Sequence, residues 1–291
     1  QYGLLLFMLA AGLTLIFGIM DLINLAHGSF YMLGAYLTAW LTGLVGSFAL
    51  ALAGALLLTA LAGLLVEVLA LRRLYGRDHL YQVLATFGLI LFFNELVSLV
   101  FGPLPIFLAT PPGLSGQVEV FGAPYPLMRL AIMAAGAGAA LFLWWLIGHT
   151  RLGRLIRAGA DNREMVQALG VDIALLFALV FALGAALAAL AGAMAGPLLA
   201  VRIGMGEDIL ILTFVVIVVG GIGSVRGALV GALLIGLVDT LGRAYLPGLL
   251  GLVMARENAD ALGAAAGSMA IYVLMALVLA LRPRGLFPQR A

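Results

Sequence analysis

Residues 28–66 read GSFYMLGAYLTAWLTGLVGSFALALAGALLLTALAGLLV, thirty-nine positions without one charged side chain. A bilayer core of about 30 Å is crossed by roughly 20 apolar residues of helix at 1.5 Å each. The run is therefore too long for one crossing, and Gly46-Ser47-Phe48 is where it divides. Working outward from it, spans are predicted at 2–20, 28–46, 49–71, 80–101, 127–148, 173–198, 208–221, 227–243 and 264–281. These stretches are apolar all round; a membrane barrel would need short segments alternating in hydrophobicity. The expected fold is all-α, a polytopic transmembrane helical bundle of eight or nine spans, some short or broken, in a single domain over 1–291.

Composition agrees. Hydrophobic residues make up 65% of the 291 and charged residues only 10%, with a mean hydropathy of +1.21. A soluble domain carries about 25% charged residues to wet its surface, so the solvent expected here is a lipid bilayer. All fifteen basic residues are arginine, and lysine and cysteine are absent. Without cysteine there is no disulfide frame, thiolate metal site or thiol nucleophile. The missing lysine reads as genomic base composition. The pI near 9.2 rests on a net charge of only +2, which predicts no nucleic-acid partner. The opening at Gln1, without Met and already apolar, reads as a trimmed start; no signal-peptide pattern is expected.

Ten arginines fall in three segments: Arg72, Arg73 and Arg77; Arg151, Arg154, Arg157 and Arg163; Arg282, Arg284 and Arg290. The positive-inside rule assigns these segments to the cytoplasm. Two predicted spans separate the first from the second and four separate the second from the third, so parity is kept. The proline-rich stretch 102–126 and the loop 244–263 are then expected outside.

Two breaks interrupt the predicted spans. One is Asp21-Leu22-Ile23-Asn24-Leu25-Ala26-His27-Gly28; the other is Gly220-Gly221-Ile222-Gly223-Ser224-Val225-Arg226-Gly227. Irregular backbone survives at membrane depth only when buried in protein or lining a wet cavity. Leu13-Thr14, Ile23 and Gly28 match Leu212-Thr213, Ile222 and Gly227 at a constant offset of 199. That offset is compatible with an internal repeat or with chance similarity of glycine-rich segments. GxxxG pairs at Gly192/Gly196, Gly227/Gly231 and Gly263/Gly267 predict close helix packing.

The segment 149–172 is the longest polar interruption on the arginine side. Met165, Val166 and Leu169 are spaced for one helical face. Asp161 and Asn162 suit a helix start and Gly170 a stop, which predicts a short amphipathic helix over about 162–169. Such a helix either anchors to lipid phosphates through its arginines or docks its apolar face in a groove of a soluble partner.

Glu164 followed by Gly170 resembles the E-A-A-x-x-x-G loop of ABC importer permeases. Met165 and Val166 stand where that pattern has alanines, and its later Leu-Pro is absent. The run from Arg151-Leu152-Gly153 to Leu169-Gly170-Val171 is similar to the branched-chain amino acid (Liv-type) ABC permeases. So are Gly12-Leu13-Thr14-Leu15-Ile16-Phe17-Gly18 through Asn24 to Tyr36, Ala85-Thr86-Phe87-Gly88-Leu89 to Asn94-Glu95, and the block from Gly220 to Gly227. Together these blocks resemble the LivH-like branch in order along nearly the whole chain. The resemblance implies an inner-membrane subunit beside a second permease, two cytosolic ATPases holding ATP and magnesium, and an external solute-binding protein. It also implies an ATPase-coupling loop formed by Arg154, Arg157, Asp161, Arg163, Glu164, Met165, Val166, Leu169 and Gly170.

An ionisable group in the membrane usually faces a cavity or a partner. Glu95 beside Asn94 is a candidate for the translocation path or for a helix–helix hydrogen bond. Asn24, His27 and Ser29 cluster at the first break, where half-helix termini suit a zwitterionic amino acid or where the side chains satisfy the break's own backbone. Gly220, Gly221, Gly223 and Gly227 form the second break. Asp239 with Arg243 is expected as an intrahelical pair, and Glu67 is expected near Arg72 and Arg73.

The rival transport reading is a secondary transporter or channel for a small polar solute, using Glu95 and Asp21 as ion sites. Urea or amide uptake is the alternative within the family. An enzyme is not expected. Gly113-Leu114-Ser115-Gly116 superficially resembles a rhomboid G-x-S-G but sits in a proline-rich loop, and no H-E-x-x-H or G-x-x-x-x-G-K occurs.

Overall fold

The computed structural model of the chain describes residues 1–120, 122–252 and 254–287. Its helices, in order, are α1 (Tyr2–Met20), α2 (His27–Val45), α3 (Phe48–Leu69), α4 (His79–Phe101), α5 (Leu127–His149), α6 (Arg151–Asp161), α7 (Arg163–Ala168), α8 (Ile173–Ala195), α9 (Met205–Gly220), α10 (Val225–Leu250) and α11 (Arg256–Leu281). Among the described residues seven of these, α1, α3, α4, α5, α8, α10 and α11, are long and apolar enough to cross a membrane. The sixteen residues of α9 fall short, and α2 is diluted by His27, Ser29, Tyr31, Tyr36 and Thr38. The all-α membrane bundle is as expected.

Most predicted boundaries lie within three residues of the observed ones. The division at Gly46-Ser47-Phe48 is sharp: Gly46 takes φ +71° to end α2, and α3 starts at Phe48. The far half of the chain needs correction. The predicted span 227–243 runs on to Leu250 through Pro247, and the loop expected over 244–263 shrinks to 251–255. Hydropathy failed there because Arg256, Asp260 and other polar residues begin α11 on its exposed side. The stretch 102–126, loop-like by its prolines, holds a hairpin of β1 (Gln117–Val120) and β2 (Ala123–Pro126), with Val118 opposite Tyr125. Arg290 lies outside the described residues.

Two helices make the interior. The best apolar window of α1 is 83% buried, against 17% for that of α11. α8 packs on α1, α2 and α3, while α10 packs on α11, α1 and α9. Lipid tails are as apolar as leucine, so association relies on close van der Waals approach at small residues. A Cβ on Gly12 would stand 2.6 Å from the Gly184 carbonyl oxygen, and one on Gly263 would stand 2.6 Å from the Pro247 nitrogen. Gly192 meets the Tyr31 carbonyl, and Gly227 and Gly231 both face Gly220 on α9. Of the GxxxG pairs, Gly227/Gly231 and Gly263/Gly267 thus each address one partner helix, whereas Gly196 faces Leu108 and Val201.

The three arginine segments meet at one end of the bundle. Asp172 interacts with Arg72, Gly223 shares a cavity wall with Arg163 and Glu164, and Gly285 packs on Gly221. At this end Glu67, fully buried, accepts from Arg72 Nε at 3.2 Å and Nη2 at 3.0 Å and from the Tyr75 hydroxyl. Arg73 stays exposed. Burial, and then the hydrogen bond to Glu67, push the Tyr75 hydroxyl's ionisation well above its ordinary range. Asp239 and Arg243 form the expected pair at 2.8 Å, and Arg243 also donates to Ser268 on α11.

Overpacking a tight core costs about 1–3 kcal/mol or more. Gly192→Leu is expected to lower the thermal midpoint of the detergent-solubilised protein or to abolish its accumulation. Gly138→Leu, where nothing lies within 4 Å of the added carbon, is expected to change stability by no more than about 0.5 kcal/mol. Equal midpoints for both variants would overturn the packing argument.

Candidate functional site

Two features of the arginine end are built by local sequence signals. Thr150 caps α6 by accepting from Gly153 N at 3.0 Å. α6 buries Gly153, Ile156 and Gly159 and leaves Arg151, Arg154 and Arg157 exposed. Arg157 donates to the Ile147 carbonyl. Asp161 closes α6, and Asn162 then starts α7, its Oδ1 accepting from Met165 N at 2.9 Å. Gly170 at φ +85° stops α7, with Gly170 N bonded to the Gln167 carbonyl and Val171 N to the Val166 carbonyl. That paired arrangement is the Schellman stop, which needs a left-handed residue. Arg163 and Glu164 occupy the exposed first turn.

The predicted common face of Met165, Val166 and Leu169 is split. Val166 is buried and anchors α7, which packs on α6 and α8. Met165 and Leu169 are 59% and 76% exposed, a free apolar pair beside the arginines. The expected helix over 162–169 is shorter, at Arg163–Ala168, and the separate helix α6 before it was not anticipated.

The first break is a re-entrant segment. Asp21 ends α1 in the left-handed conformation at φ +50°. The chain then turns back until His27 Nε2 lies 3.1 Å from the Leu9 carbonyl oxygen, a return of about 16 Å at helical rise. Leu22, Asn24, Ala26, His27 and Ser29 are all buried. Among the described residues, Asn24 Nδ2 and Oδ1, His27 Nδ1 and Ser29 Oγ have no hydrogen-bond partner, nor has Thr14 Oγ1 on α1. Unsatisfied buried polar atoms are rare enough to require an explanation such as a water, an ion or a functional role.

Gln82 clamps this segment. Its Oε1 accepts from Ile23 N at 3.3 Å and lies 3.3 Å from His79 Nδ1, while Nε2 donates to the carbonyls of Leu74 and Arg77. Sequence reading missed Gln82, since a polar residue near a span end carries no mark of a partner 59 residues away. The second break is a tight turn over residues 221–224, with Gly220 backbone against Gly227 and Gly223 against Gly18. The matching offset of 199 therefore joins segments of different shape.

Asn94 and Glu95 part company. Asn94, half-buried, donates through Nδ2 to Glu207 Oε1 at 3.1 Å. Glu95 points to the outside of the chain. Glu207 escaped the sequence reading because the predicted span began at 208; it lies in the first turn of α9, where the helix dipole favours acids.

Two of the cavities at the arginine end adjoin these features. One of about 380 Å³ lies among α1, α5, α6 and α10, lined by Thr14, Gly18, Trp144, Arg157, Gly223 and Arg226 among others. The second, about 490 Å³, is walled by Phe17, Asp21, Asp161, Asn162, Arg163, Glu164, Ile222 and Gly223. It joins the start of α7 to both breaks.

Comparison with known proteins gives these features a context. Residues 2–279 match the family described as "Branched-chain amino acid transport system / permease component". The chain is 30% identical over 265 residues to the high-affinity branched-chain amino acid transport system permease protein LivH of Salmonella typhimurium, covering 82% of each. It is 30% identical to the corresponding permease BraD of Pseudomonas aeruginosa, covering 96% of this chain and 90% of that protein. A probable LivH of Methanocaldococcus jannaschii is 26% identical over 86% of the chain and 81% of its own length. No solved structure matches. With the match running through both breaks, α7 and almost all of the bundle, the chain belongs to the branched-chain amino acid transport permease family, a family of transport components and not of enzymes.

Proposed function

We propose that this chain forms the translocation path of an ABC importer for branched-chain or related amino acids, as a multi-pass subunit of the bacterial cytoplasmic membrane. In this reading the arginine end faces the cytoplasm. Two separate ATPase subunits, which bind ATP and magnesium, dock there; a second permease chain completes the path, and an external solute-binding protein delivers the amino acid.

One observation carries the coupling role: Met165 and Leu169 stand free at the arginine end, on a helix fixed by the Asn162 cap, the Gly170 stop and buried Val166. A rigid helix with an apolar tip suits insertion in a groove on a soluble partner. Movement of α7 would act on the cavity it shares with Asp21, Ile222 and Gly223, and so on both breaks. Gly159 on α6, close to Leu176 of α8 and Ile19 of α1, offers a parallel route. The first break supplies the polar groups of the path. Opening of the bundle would let Asn24, His27 and Ser29 meet water or a zwitterionic substrate, satisfying atoms that lack partners in the closed bundle.

Burying a leucine or methionine side chain is worth about 1.5–3 kcal/mol, roughly ten- to a hundredfold in affinity. Leu169→Asp and Met165→Asp are therefore expected to weaken co-purification of the ATPases at least tenfold while membrane insertion is kept. Full ATPase recovery with both variants would remove α7 from the docking role.

For the path, Asn24→Leu and Gln82→Leu are expected to reduce leucine uptake into proteoliposomes at least tenfold with the subunits still assembled. ATP-dependent uptake at the wild-type rate in both would detach the first break from the path. Uptake by the isolated chain without ATP would favour the secondary-transport reading instead. Faster uptake of urea than of leucine would shift the substrate within the family.

A further inference from the structure

α4 buries a single stripe of its surface: Gln82, Thr86, Ile90, Phe93 and Val97, at positions three and four apart. The opposite stripe, Leu84, Gly88, Leu91, Glu95 and Leu99, is exposed along the helix. Three of its leucines are 53–84% accessible. An apolar stripe alone fits lipid, but Glu95 does not. It lies six residues from the helix end at Phe101, about 9 Å, and sixteen from His79, about 24 Å. In a crossing of about 30 Å that depth is inside hydrocarbon. Among the described residues no hydrogen bond or ion pair reaches Glu95.

Three other acids within the bundle have partners: Glu67 has Arg72 and Tyr75, Asp239 has Arg243, and Glu207 has Asn94. Intramembrane acids face protein or a water-filled cavity, not lipid. Gly88, with nothing within 4 Å of an added Cβ, leaves a notch two turns below Glu95 where another backbone can approach. Beside the stripe, Asn94 on α4 holds a second carboxylate, that of Glu207.

We propose that the Leu84–Gly88–Leu91–Glu95–Leu99 stripe of α4 is where the second permease chain packs, and that the facing helix of that chain presents a hydrogen-bond donor or cation to Glu95. The inference rests on the reading of the chain as one of two permeases. Lipid, or a second copy of this chain where a different permease is present, are the other occupants the test separates.

The chain has no cysteine, so single introduced thiols report unambiguously. Leu91→Cys and Leu99→Cys would each carry a benzophenone in the whole transporter reconstituted in lipid. Met269→Cys and Val273→Cys on the exposed side of α11, 64% and 62% accessible, serve as controls. Irradiation is expected to join the α4 positions to the second permease chain at least fivefold more than the α11 positions. Glu95→Leu is expected to lower recovery of the second permease at least tenfold, and Glu95→Gln, which keeps an acceptor, to restore most of it. Adducts of α4 with lipid only, or no excess over α11, overturn the inference while the importer reading stands. Adducts with a second copy of this chain, when a different permease is present, overturn the named partner. Unchanged recovery with Glu95→Leu overturns the part given to the carboxylate. A purified, active assembly without any second permease overturns both the inference and the reading beneath it.

Discussion

The backbone-to-backbone approach of α1 and α8 at Gly12 and Gly184 is the contact on which the rest of the bundle depends. Hydrocarbon supplies no drive to hide leucine, so helices stay together only where main chains come near enough for dispersion to accumulate. With α1 held against α8, α2 and α10 close around it, again through glycines: Gly34 and Gly192 on one side, Gly3 and Gly236 on the other. The interior pairs these close glycine contacts with large buried side chains such as Tyr31, Phe30, Phe181 and Leu6, while Trp40, Trp144 and Trp145 are turned outward. At the glycine contacts the centre is intolerant of added volume.

The same tightness lets the chain carry an irregular segment at depth. Residues 21–26 return alongside α1; Gln82 from α4 meets the Ile23 amide, and the Leu9 carbonyl meets His27, where α2 begins. The remaining open valences gather at Asn24, His27, Ser29 and Thr14. A break with such deficits is less stable than a continuous helix, so it is a natural place for the bundle to rearrange. Placing its entrance, Asp21, in the same cavity as Glu164 connects that region with α7 across a short distance.

Much of this was legible in the sequence because one-dimensional signals set it. Spans follow from runs of apolar residues, the α2–α3 turn from Gly46 and Ser47, and both ends of α7 from Asn162 and Gly170. What was illegible depends on partners distant in the chain. The direction of Val166 is fixed by its neighbours α6 and α8, not by its spacing. Asn94 meets Glu207 across 113 residues, and Gln82 meets Ile23 across 59. The length of α10 was hidden for another reason: Pro247 and the polar start of α11 look like a loop by composition, yet Pro247 packs within the helix against Gly263 and the polar start of α11 occupies exposed helical surface.

The Glu67–Arg72–Tyr75 cluster has a consequence for alkaline conditions. Its cation is a guanidinium, which keeps its proton at any pH a cell meets, and the phenol beside it resists ionisation more than a free tyrosine does. A phenol with raised ionisation stabilises the fold fully below the ordinary tyrosine range and loses that contribution only as pH climbs through the raised value. In the reversal between α3 and α4, Arg72 and Tyr75 therefore keep their protons in mild base, and the charge pattern they set there is unchanged.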